Sequence, residues 1–229
     1  MKYLHITLSV VCLSLLPVAG YTQESQPEPE RGSIHPGFII TLQGDTVHGY
    51  LLNINLWLNQ KMTFFYTDPD DREGRVKYTP KEIMAYQIGP RYYESIKHPF
   101  TNSPRSENFI LRKVDGPIKY YVWYYDEDKT KLTVWDNISL DDLGKAFLFE
   151  ESELWKDEFG RKGNEETLTP FALKFLMKFA KNMSEYVQDD VELAQKIASK
   201  TKGYQNINIE AIIREYNDWY LSSSQKSYR

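Results

Sequence analysis

The sequence predicts an α+β fold, with an N-terminal antiparallel β-rich region followed by three C-terminal helices. Three observations predict it. Turn residues recur at short intervals between runs rich in Tyr, Phe, Ile and Val from Phe38 to Phe159. Aromatics make up 14% of the 229 residues, 17 of them Tyr, a bias toward strands and a filled core. From about Leu168 the apolar residues change to helical spacing. Strands first and helices afterwards segregate into an α+β arrangement, with a barrel-like closure of the hairpins as one form of the β region.

The chain divides into four parts: residues 1–22 as a signal peptide, 23–36 as a flexible linker, 37–160 as the β domain and 167–222 as the helical region. Lys2, the short apolar run Ile6 to Ala19 and the small residues Ala19 and Gly20 have the build of a secretory signal. The run is too short to span a bilayer, which takes about 20 apolar residues. Its Cys12 is the only cysteine, so a mature chain has neither disulfides nor thiolate chemistry. "QESQPEPERGSIHPG" is polar and proline-containing, as a spacer would be.

The first hairpin joins Phe38–Leu42 to Val47–Leu52 through "QGDT". Gly44 reaches positive φ at little cost, and Asp45 can bond its own backbone two residues on. Gly49 signals a bulge or a close backbone approach. His48 points to solvent or pairs across the hairpin. "KMTFFYTD" is the next strand and "PDDREGR" its turn. In "TPKEIM", Thr79, Pro80 and Glu82 form a capping-box pattern, which predicts one helical turn before an extended Ala85–Ile88. "RYYESI" is a strand. "NFILRKV", the Asp115–Gly116 turn and "IKYYVWYY" make the clearest hairpin. "LTVW" and "KAFLFEESELWKDEF" supply the remaining strands.

In the helical region Thr169 reads as a cap and Pro170 as the first turn of a helix carrying Phe171, Phe175, Leu176, Phe179 and Met183. "DDVELAQKIASK" opens on acidic residues and stops before Gly203. "INIEAIIREYNDWYL" places Ile209, Ile212, Ile213, Tyr216, Trp219 and Tyr220 on one side.

The chemistry is sparse. His35, His48 and His98 share no HxH or HExxH spacing. Asp45, Thr46 and His48 are too close along a hairpin to converge on one substrate atom. Asp68 and Asp70, and Asp126 and Asp128, open stretches resembling calcium loops, but Arg72 and Asn137 stand where ligands belong, so both are weak calcium candidates and read better as solvated turns. Glu150, Glu151 and Glu153 read as the solvated side of a hairpin. No GxSxG, phosphate loop or GxGxxG occurs, and no cofactor is expected. A formal net charge of −4 is a poor match for nucleic acid. Tyr121, Trp123 and Tyr125 line one face of "IKYYVWYY" and are the candidate ligand platform, although a strand aromatic on both faces fits a central, covered position better.

"GFIITLQGDTVHGYL", "VKYTPKEIMAYQI", "RYYESI", "FLFEESELWKDEF" and "IIREYN" together resemble an uncharacterised family of secreted Bacteroidota proteins. The resemblance implies an exported location, periplasmic, extracellular or outer-membrane-associated, and this architecture; it assigns no catalytic residue. The first hairpin is also similar to the start of small SH3-like or Sm-like barrels. The expected function is an exported, non-enzymatic protein acting on a protein or glycan partner through an interaction surface. The alternatives are a carbohydrate- or peptide-binding module and, third, a hydrolase.

Overall fold

The computed structural model describes residues 27–97, 107–125, 154–171 and 173–226. The chain builds one open antiparallel sheet of ten strands with C-terminal helices on one face. The strands are β1 (Ile34–Thr41), β2 (Thr46–Leu52), β3 (Thr63–Tyr66), β4 (Val76–Tyr78), β5 (Ile83–Ile88), β6 (Arg91–Lys97), β7 (Glu107–Val114), β8 (Ile118–Tyr125), β9 (Trp155–Lys162) and β10 (Thr169–Pro170). Their order across the sheet is β10-β9-β8-β7-β6-β5-β1-β2-β3-β4. β4 and β10 are therefore edges, and the barrel-like closure does not form. Register shifts in the β1–β5 and β7–β8 pairings bend and twist the sheet instead.

The helices among the described residues are α1 (Leu173–Met177), α2 (Phe179–Tyr186), α3 (Val191–Ala198) and α4 (Ile209–Lys226), four where three C-terminal helices were expected. The first expected helix is interrupted at Lys178, whose backbone leaves helical geometry (φ −117°, ψ 31°). It also starts later than its cap pattern implies. Thr169 and Pro170 form the edge strand β10, and the Phe171 amide donates to Glu158 O at 2.8 Å. Proline has no amide hydrogen to place and is tolerated on an edge; the extended path seats Phe171 in the core against Phe175, with ring centroids 4.9 Å apart. Asp190 caps α3, accepting from the Leu193 amide at 3.1 Å. In "TPKEIM" half of the capping box forms, with the Thr79 amide donating to Glu82 at 2.7 Å, while the Glu82 amide donates to Thr79 O at 3.0 Å and the chain turns directly into β5 without a helix.

Residues 27–36 belong to the fold, which corrects the linker. Pro29 is buried, Asn53 donates to Pro29 O at 2.8 Å, and Glu28 pairs with Arg91 at 2.8 Å. β1 begins at Ile34, and just before it the Gly32 amide donates to Asn53 O at 2.7 Å and the Asn53 amide to Ser33 O at 2.9 Å. The signal-peptide stretch, "LTVW", the first part of "KAFLFEESELWKDEF", and His98, Asp126, Asp128, Glu150, Glu151 and Glu153 lie outside the described residues.

Alternation in the strands makes two faces. On one, Ile118, Tyr120 and Val122 of β8 meet Met183 of α2, Ile197 of α3 and Ile212, Ile213 and Tyr216 of α4. The same face continues through Leu111, Phe109, Tyr93, Tyr86 and Ile39. The described helices pack there and leave the opposite face to the strands' other side chains.

Two amides secure the ends of β8 where β7 no longer pairs with it. Asn217 of α4 accepts from the Ile118 amide and donates to Ile118 O, both at 2.8 Å. Gln60 accepts from the Tyr124 amide and donates to Tyr124 O, both at 2.7 Å. Each primary amide supplies the donor and acceptor that a neighbouring strand would otherwise give. Asn59 closes the connecting loop by accepting from the amides of Ile54 and Asn55.

Candidate functional site

The sheet face opposite the described helices carries a row of cross-strand partners over seven strands. His48, Phe38, Gln87, Tyr92, Arg112, Tyr121 and Phe159 stand opposite one another from β2 to β9. Six strand spacings make the row about 29 Å long. Phe38 lies edge-on to His48 at 5.7 Å and tilted to Tyr92 at 6.3 Å, and the Arg112 guanidinium sits 4.0 Å from the Tyr92 ring.

Glu94 is the hub of this face. Its Oε1 lies 2.6 Å from Arg112 Nη1, and its Oε2 lies 2.7 Å from Arg161 Nη2 and accepts from the Tyr121 hydroxyl at 2.9 Å. Arg161 also donates to the Tyr121 hydroxyl and covers its ring at 5.1 Å. Burial pushes the Tyr121 hydroxyl's pKa up, and the Glu94 charge adds to the rise more than Arg161 opposes it. The phenol is a fixed, protonated donor.

An open groove of about 900 Å³ crosses this face beside the hub. Lys81, Lys97, Arg112, Lys119 and Arg161 line it, with Glu94 and Glu107 as its carboxylates. Ile40, Ala85, Met84 and Ile96 give it apolar walls.

The platform proposed from sequence is only partly present. Tyr121 is fully buried in a cluster with Ile110, Phe159 and Leu168, so it serves as floor and not as contact surface. Trp123 and Tyr125 are half-buried and stacked, with centroids 5.3 Å apart, and Lys61 lies 5.5 Å over the Trp123 ring. Asp68 is committed to its own turn, accepting from the Asp70 amide at 2.9 Å, while Asp71 does the same for Glu73 and Gly74. Among the described residues no group of three or more His, Cys, Asp or Glu could hold a metal ion.

At the first hairpin, Thr41 and Asp45 bracket the bend. The Thr41 amide donates to Asp45 O at 2.9 Å, the Gly44 amide donates to Thr41 O at 3.0 Å, and Gly44 has φ +90°. Asp45, Thr46 and His48 are all exposed, and His48 packs on Phe38. Gly49 is a close approach: a Cβ there would stand 2.4 Å from the Phe65 ring and 2.6 Å from Tyr66 O.

Sequence reasoning passed over Tyr92, Glu94, Arg112, Lys119 and Arg161. Their signal was present as charged or amphipathic residues at alternate positions within the strands "RYYES", "FILRKV", "IKYYVW" and "DEFGRK". Strand order was needed to see that they share one face. Compared with protein-family models, with curated proteins and with solved structures, the chain matches none, so the reading of this face rests on its own geometry.

Proposed function

We propose that the protein is an exported, non-enzymatic binding protein that takes an elongated ligand along the sheet face opposite the described helices. One observation carries the reading: side chains of seven strands form a single row there, beside an open groove of about 900 Å³. Concave sites lined by apolar walls and a few placed polar groups are the usual shape of a ligand site. The charged groups at its centre, Glu94, Arg112 and Arg161, are already satisfied by one another, an arrangement that holds a surface rigid. Export is supported by the N-terminal pattern of Lys2 and the run Ile6 to Ala19. Among the described residues, no helix is long and apolar enough to cross a membrane.

A second reading keeps part of the aromatic strand as the contact point, because Trp123 and Tyr125 stack while remaining half-exposed. Intrinsic fluorescence during titration with oligosaccharides and peptides separates the two. A saturable response lost in Tyr92→Ala, with the far-UV circular dichroism unchanged, supports the groove. Loss in Trp123→Ala alone moves the site to the aromatic pair. A hydrolase screen that finds turnover abolished by Glu94→Gln would overturn the non-enzymatic reading.

A further inference from the structure

We infer that the ligand of the groove is an acidic oligosaccharide, recognised through carboxylates on its sugar rings. The inference rests on the binding reading above and adds the ligand's chemical class.

Charge points to an anion. Five cationic side chains against two carboxylates leave an excess of three positive charges in the groove, on a chain whose formal net charge is −4. Arg112 and Arg161 are held by Glu94, and Arg112 also reaches Asp115 at 3.2 Å. Lys81 and Lys119 have no ion pair among the described residues. Lys97 stands opposite Glu107, which offsets it. Lys119 stands directly opposite Arg161 on the neighbouring strand. Like charges in that relation are destabilising, and an anion seated between them would remove the cost. A compact lysine ammonium and a planar guanidinium side by side suit a carboxylate, one as point charge and the other as a fork.

The same face discriminates among anionic ligands. An extended acidic peptide gains affinity by adding to a sheet edge, where backbone groups are unpaired. Here the strands under the groove are flanked by partners on both sides, so a peptide would meet side chains only. Single-stranded nucleic acid needs open ring faces for its bases. Arg112 covers the Tyr92 ring, and Tyr121 is fully buried beneath Arg161. A sugar chain needs less: apolar edges for its CH groups, which Ile40, Met84, Tyr92 and Ile96 supply, and charged donors for its carboxylates.

The test is calorimetric titration of the full chain with an oligogalacturonate, its methyl ester, a sulfated oligosaccharide, poly-glutamate and single-stranded DNA. The expected result is saturable binding of the oligogalacturonate, at least tenfold weaker binding of the ester, and an acid-over-ester preference that falls several-fold in Lys81→Gln/Lys119→Gln. Raising salt should weaken the acid and spare the ester. Equal binding of acid and ester overturns this inference and leaves the binding reading standing. Tighter binding of the sulfated chain, poly-glutamate or DNA than of the oligogalacturonate overturns the ligand class. Failure of every ligand with a folded protein overturns the binding reading itself.

Discussion

Arg161 of β9 and Glu94 of β6 meet at 2.7 Å although two strands lie between them in the sheet. Three strand spacings are about 14 Å along a flat sheet. An extended arginine and an extended glutamate together span that gap, so the two side chains meet above Tyr121, whose hydroxyl bonds to both. Both ends of the pair are largely shielded from water, with side-chain exposures of 19% and 14%. Screening is therefore weaker than at a surface pair.

Removing the hub charge should be costly. Glu94→Gln leaves the Arg161 guanidinium without its counter-charge and Arg112 with the exposed Asp115 in its place, and the unfolding free energy from urea titration should fall by about 2–3 kcal/mol. A double-mutant cycle with Arg161→Gln should return a coupling energy above about 1 kcal/mol. Additive effects would show that the contact contributes nothing to stability.

The anchor of the C-terminal helix should behave as a core residue despite being polar. Asn217 is buried and occupies both backbone groups of Ile118. Asn217→Ala strands a buried N–H and a buried C=O, a loss of about 3 kcal/mol. The exposed neighbour Asp218→Ala should change stability by less than about 0.5 kcal/mol. Chemical denaturation of both variants checks the contrast.

The two glycines of the first hairpin have different physical roles, and alanine tells them apart. At Gly44 nothing lies within 4 Å of an added Cβ, so only the left-handed backbone is strained, at about 1–2 kcal/mol. At Gly49 the added carbon meets the Phe65 ring and Tyr66 O, and Phe65 is buried and cannot yield. Overpacking there should cost about 1–3 kcal/mol and move neighbouring side chains. Aromatic NMR shifts at Phe65 should change in Gly49→Ala and remain unchanged in Gly44→Ala.

Asp189 links helix docking to pH. Burial alone would raise its pKa. Hydrogen bonds from Lys162 at 2.6 Å and from the Tyr216 hydroxyl, with the Lys162 charge, outweigh burial and hold the carboxyl below its ordinary value. A depressed folded-state pKa contributes stability that is fully present above the unfolded value of about 3.9 and disappears as pH falls through the folded value. Asp189→Asn should therefore be less stable than the parent at pH 7, and the gap should close as the pH drops below about 4. Urea midpoints from pH 7 to pH 3 give the comparison; a gap that stays constant would remove Asp189 from the acid response.

By itself the sequence determined the elements whose signals are local. Gly44–Asp45 and Asp115–Gly116 set two hairpins, because a turn is decided by the φ its own residues can reach. Asp190 and the Ile209–Tyr216 stripe set two helices, because capping and amphipathic spacing are read within a few turns. The tertiary structure alone decided that Thr169–Pro170 pairs as an edge strand, since the partner, β9, supplies the hydrogen bonds. It alone buried Tyr121 and brought Glu94, Arg112 and Arg161 together. Alternation within a strand fixes which residues share a face, but neighbours across a sheet depend on strand order and curvature. Those are settled by packing over the whole core, so the candidate site was written in the chain as scattered single residues and became a site only when the strands took their order and register.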